Sequence, residues 1–84
     1  MIHWKRIGKE EKFGIVNAIM GVREATLVKD GVTEKTSIVV LCDLSEEKGL
    51  EALNWTDEQV KDYLESNCNL TQIDADLQSN LESE

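Results

Sequence analysis

The longest unbroken apolar run in the chain, Ile38-Val39-Val40-Leu41-Cys42, follows Thr36-Ser37 and constrains the fold more than any other stretch. A half-exposed strand alternates apolar with polar residues, so consecutive apolar residues rich in β-branching predict a strand buried on both faces. The Asp30-Gly31 turn signal upstream and the polar Asp43-Leu44-Ser45 downstream favour a strand over a buried turn of helix. The run is expected to form the central strand of a small sheet.

Eighty-four residues make one domain, 1–84. A chain of that size buries roughly two-thirds of its unfolded surface, which leaves little room for an enclosed active site. With 40% hydrophobic and 31% charged residues it belongs with folded soluble proteins and not with disordered ones. No apolar run approaches the ~20 residues of a membrane span. The opening Met1-Ile2-His3-Trp4-Lys5-Arg6 leads into charged residues, not into a secretory apolar stretch, so a cytoplasmic protein is expected.

In chain order, His3-Trp4-Lys5-Arg6-Ile7 suits an edge strand anchored by Ile2, Trp4 and Ile7. Residues 9–22 place Phe13, Val16 and Met20 at i, i+3 and i+7, with Ile15 and Ile19 alongside; this spacing predicts a helix with Glu10 and Glu11 in its first turn and a break at Gly21. The alternative is a strand from Phe13 to Met20, which Gly14 favours, since glycine costs a helix up to about 1 kcal/mol relative to alanine. Residues 24–29 and 32–35 flank Asp30-Gly31 as a hairpin would. Its loop is two or three residues long.

The second half reads as helical. Ser45 can cap a short helix running to about Leu53, with Leu50 and Leu53 toward the core. Thr56 and Gln59 form a capping box flanked by the staple pair Trp55 and Val60, which predicts a helix from Asp57 to about Ser66 with Val60, Tyr63 and Leu64 buried. After the turn Asn67-Cys68-Asn69, the stripe Leu70, Ile73, Leu77 and Leu81 predicts a last helix capped by Thr71. Its narrow stripe needs a surface to lie against. The run from Trp55 to Ser66 is similar to the opening helix of sterile-alpha-motif interaction domains, which are all-helical bundles. The strand-rich stretch before it contradicts that fold, and the likeness extends no further than how a helix begins.

Charge is distributed unevenly. Residues 1–42 balance to +2 and residues 43–84 to −10, within a net charge of −8. Such a concentrated negative field attracts basic partners and repels nucleic acids and anionic membranes. Trp4 with Lys5, Arg6, Lys9 and Lys12 could form a weak single-strand nucleic-acid footprint, the third reading of function. For catalysis the candidates are His3, Cys42 and Cys68, the one histidine lying far in sequence from both thiols, and no phosphate-loop, nucleotide or metal motif accompanies them. Asp74-Ala75-Asp76 is only a fragment of a calcium loop.

An α+β fold is therefore expected, a small antiparallel sheet of two to four strands packed against two or three helices from the C-terminal half. The expected function is a non-enzymatic protein-binding module without cofactor or metal. Asp57, Glu58, Asp62, Glu65, Asp74 and Asp76 would dock on a basic protein surface and could imitate nucleic-acid phosphates. In size and charge alone the chain resembles the small acidic inhibitors of host enzymes that phages encode. The competing reading is an adaptor or structural subunit that self-associates through an apolar face, with Trp4 and the stripe from Leu70 to Leu81 as the candidate surface.

Overall fold

The computed structural model describes residues 1–82, in the order β1 (Ile2–Lys12), β2 (Ile15–Lys29), β3 (Val32–Asp43), α1 (Glu46–Ala52), α2 (Asp57–Asn67) and α3 (Leu70–Glu82). The strands form an antiparallel meander, β1-β2-β3, and the helices pack on one of its faces, as the α+β reading requires. The body is elongated, 48 × 21 × 18 Å.

Both hairpin turns follow from local chemistry. Phe13 and Gly14 have φ of 56° and 80°, and Asp30 and Gly31 have 53° and 78°. Positive φ at both central residues defines a type I′ loop, whose twist matches that of the strands it joins. The second loop is thus two residues long, with Lys29 opposite Val32. Phe13 is unusual in this role, since a left-handed conformation costs a residue with a Cβ about 1–2 kcal/mol.

The helix expected over residues 9–22 is instead the end of β1, the first turn and the start of β2. The residues whose spacing suggests a helix do not share a face: Phe13 lies in the turn, Val16 faces the helices and Met20 faces the other way, and one β-bulge interrupts the segment. Glu10 pairs with Ala18 but Glu11 with Val16, so Asn17 is an extra residue on β2, and Val16 and Ile19 come to face the same side. An i, i+3 pair on one face is then a product of the bulge and not of helical periodicity. Lys5 plays the same part on β1, where Trp4 pairs with Arg23 and Arg6 with Val22, so that Trp4 and Ile7 share the helix-facing side. Gly21 is no break; it lies mid-strand between Ile7 and Val40.

The apolar run Ile38–Cys42 is not central either. It lies on the edge strand β3, and β2 holds the centre. Ile38, Val40 and Cys42 pack toward the helices, while Val39 and Leu41 are 61% and 58% exposed on the opposite face. The run is continuous in sequence, but only one face of the sheet is covered.

Helix caps fall largely where the sequence places them. Ser45 Oγ accepts from Lys48 N at 3.2 Å, and the Thr56–Gln59 box is closed by bonds of 2.8 and 3.2 Å. In α3 the cap is Asn69, whose Oδ1 accepts from Gln72 N at 3.1 Å, and not Thr71. Val60 and Leu64 are fully buried, and Trp55 stacks against Tyr63 with ring centroids 5.0 Å apart. The surface that α3 needs is the sheet itself, where Leu77 and Leu81 close over Ala25 with Ile2 and Leu27 at the margin. Ile38 and Ile73 join this cluster to the larger one around Ile19.

α1 packs by smallness and not through Leu50 and Leu53, which are exposed. Its buried residues are Gly49 and Ala52. A Cβ at Gly49 would collide with the Val16 carbonyl oxygen, so glycine permits the helix backbone to rest directly on β2. Helix propensity alone favours Gly49→Ala by up to about 1 kcal/mol. We predict the reverse, a loss of about 1–3 kcal/mol from overpacking, read as a lower midpoint in urea unfolding, with Leu50→Ala nearly neutral.

Candidate interaction surfaces

The helical layer concentrates negative charge on one side of the molecule. Its exposed carboxylates number nine among the described residues: Glu46, Glu47 and Glu51 on α1, Asp57, Glu58, Asp62 and Glu65 on α2, and Asp76 and Glu82 on α3. The layer has two lysines, and each is engaged within its own helix. Lys48 lies 2.9 Å from Glu51 and Lys61 3.1 Å from Glu58, and these hydrogen bonds raise both lysine pKa values. First turns hold Glu46, Glu47, Asp57 and Glu58, where the helix dipole favours carboxylates, and no last turn holds a cation.

The six residues expected to meet a partner are not equivalent. Asp57, Glu58, Asp62, Glu65 and Asp76 are exposed. Glu65 also accepts from the Trp4 indole N–H at 3.2 Å, and Asp76 accepts from Gln72 at 2.9 Å. Asp74 turns inward. Its two oxygens accept from Arg23 Nε and Nη2 at 3.0 and 3.2 Å, a bidentate pair in which the arginine side chain is only 13% exposed. Its primary role is thus to hold α3 on the sheet. With Asp74 facing Arg23 and Asp76 facing Gln72, the calcium-loop fragment is not assembled, and no cluster of three or more metal-ligating side chains occurs among the described residues.

The basic N-terminal cluster is split between two faces. Trp4 faces the helices, its ring 5.0 Å from the Arg23 guanidinium and above Gly21, where a Cβ would come within 2.5 Å of the ring. Lys9 also faces the helices. Its ammonium donates to the carbonyl oxygens of Ala52, Leu53 and Trp55 at 3.0–3.4 Å, neutralising the C-terminal end of α1. Lys5 and Arg6 lie on the other face, and Lys12 sits at the first turn beside Phe13. The stripe proposed for self-association is likewise consumed: Leu77 and Leu81 are core, and Leu70 and Ile73 are half-buried.

His3 and the thiols are not brought together. His3 lies beside Glu24, its Nε2 3.4 Å from that carboxylate, on the face opposite Cys42. Cys42 and Cys68 are both free, half-buried and packed against the main core. Cys42 is not fully buried as an inner strand would make it. Burial, together with Cys68 and Asp43, pushes its thiol pKa above the ordinary 9.0.

The face of the sheet away from the helices is uncovered: with helices on one side only the other side needs cover, and the helix expected over residues 9–22 is not there to supply it. It carries Met20, Val22, Val39 and Leu41, bordered by charged residues, and includes Glu24, which is 7% exposed and paired with His3 and Lys5. The sequence signal for its residues was the even-numbered positions of β2, which become visible as one face only once the bulge at Asn17 is known. No family model, curated protein or solved structure matches this chain. No helix among the described residues is long and apolar enough to cross a membrane.

Two outcomes follow from this geometry. Asp74→Ala strands the Arg23 charge and should cost about 2–4 kcal/mol in urea unfolding, whereas Asp76→Ala should cost under about 0.5 kcal/mol. Because its pKa is raised, Cys42 should react with a thiol reagent at pH 8 more slowly in the native state than in urea. The protonated Cys42 contributes stability that is fully present below pH 9 and declines as the pH rises further, because the unfolded chain then releases the proton first.

Proposed function

We propose that this chain is a small protein-binding module whose helical layer docks on a basic protein surface, acting as an inhibitor or modulator. The observation that carries the reading is the concentration of exposed carboxylates on the helices, where the lysines are already held by Glu51 and Glu58. Two sheet cations that face the helices do little to offset this field, because Lys9 is bound to the carbonyls of Ala52, Leu53 and Trp55 and Arg23 to Asp74. A surface of this kind competes with nucleic acid for a basic groove, by charge and not by base shape. Asp57, Glu58, Asp62 and Glu65 supply the contact on α2 and Asp76 adds to it from α3; Asp74 contributes through the position it gives α3.

Long-range attraction acts mainly on association, so the signature lies in rate and salt dependence. Affinity capture from the source cell supplies the partner, and its binding is then measured with the variant Asp57→Asn, Glu58→Gln, Asp62→Asn, Glu65→Gln. Glutamine at position 65 keeps an acceptor for the Trp4 indole, so the fold should be unchanged or slightly stabilised. We expect association to slow at least tenfold and the salt dependence to flatten. Unchanged affinity in that variant would remove α2 as the docking surface.

A further inference from the structure

We infer that the uncovered face of the sheet is a self-association surface whose occupant is a second copy of this chain, related by a two-fold axis perpendicular to the strands. The inference does not depend on the acidic-layer reading, since the helices lie on the opposite side.

Charge complementarity decides the occupant and its orientation. The register lays successive rows across this face. Glu10, Ala18 and Asp43 form an acidic row; next come Gly8, Met20 and Leu41, then Arg6, Val22 and Val39. Beyond them His3 and Lys5 flank Glu24, and Lys35 lies one row further. The face is therefore acidic at one end, apolar in the middle and net basic at the other.

An isologous contact uses the same patch on both copies, so the patch must complement itself. A two-fold axis between the two apolar rows sets Leu41 over Val39 and Met20 over Val22. It also places Glu10 of each copy over His3 and Lys5 of the other, with Ala18 over Glu24 and Asp43 over Ser37. An axis parallel to the strands would instead stack Glu10 on Asp43, like on like. The arrangement also accommodates the chain's net charge of −8. Stacked sheets are about 10 Å apart, and the helical layers outside them are then about 30 Å apart, several times the ~8 Å screening length at physiological salt.

The size of the face sets the expected strength. Three strands about 4.8 Å apart and some 30 Å long give each copy a footprint of roughly 400–500 Å², at the low end for specific association, so a concentration-dependent dimer in the micromolar range is expected. Val39 and Leu41 are 61% and 58% exposed, so changing them tests the contact without dismantling the core.

Sedimentation of the full chain from about 1 to 500 μM should show a monomer–dimer equilibrium. Val39→Asp with Leu41→Asp should raise the dissociation constant at least tenfold with an unchanged melting temperature, and Glu10→Lys alone should weaken the dimer as well. Zero-length carbodiimide coupling of mixed isotope-labelled and unlabelled protein should join Glu10 of one copy to Lys5 of the other. A chain that stays monomeric throughout the range overturns the inference. So does a dimer whose affinity is the same in the Val39→Asp, Leu41→Asp variant, because its contact would then be a strand edge or the helical layer.

Discussion

Arg23 is the point at which every layer of the molecule meets. It sits in the central strand, its guanidinium under the Trp4 ring from β1 and bidentate to Asp74 from α3, while the Trp4 indole reaches Glu65 on α2. Gly21 makes this possible by leaving the space that the ring fills. A charge so little exposed is costly unless fully partnered, and here a carboxylate and an aromatic face share that task. The pair also fixes where α3 lies along the sheet, and so which residues of its stripe meet Ala25.

Covering the sheet on one side alone separates the molecule into two chemically different surfaces. The helical side is acidic, and two sheet cations directed toward it, Lys9 and Arg23, are already bound within the fold. The open side keeps Lys5, Arg6 and Lys35 beside Glu10, Asp43 and a small apolar centre. What looks like a dipole along the sequence, basic half then acidic half, becomes a dipole across the thickness of the fold.

Local signals were legible in the sequence because their physics is local. Asp30-Gly31, Ser45, and the Thr56–Gln59 box each satisfy a backbone requirement within four residues, and each lies where the sequence places it. Signals that depend on tertiary cover were not. The run Ile38–Cys42 looks doubly buried, yet whether Val39 and Leu41 are covered depends on where the helices lie. Bulges at Lys5 and Asn17 shift side-chain parity, so that residues three apart share a face. Gly49 and Gly21, which count against regular structure by propensity, are the glycines where a Cβ would collide with a neighbour. For the candidate surface, the acidic residues of α2 could be identified from capping and helical spacing, whereas the inward role of Asp74 required knowing that Arg23 lies opposite.

The order of elements along the chain affects how the protein is made. All three strands, residues 2–43, precede every helix, so translation completes the sheet before any of its cover exists. At 5–20 residues per second, the 39 residues from Leu44 to Glu82 that supply the cover take roughly 2–8 seconds, while hairpins close in microseconds. A nascent sheet would therefore wait with both faces bare, and self-pairing through strand edges is the hazard of that interval. The Lys5 bulge on β1, and Glu34 and Lys35 on β3, place an irregularity and charges on the two outer strands, devices that discourage edge-to-edge pairing. Lys5 and Lys35 also border the face on which two finished copies would stack, so these residues would guard the unfinished chain and orient the completed one.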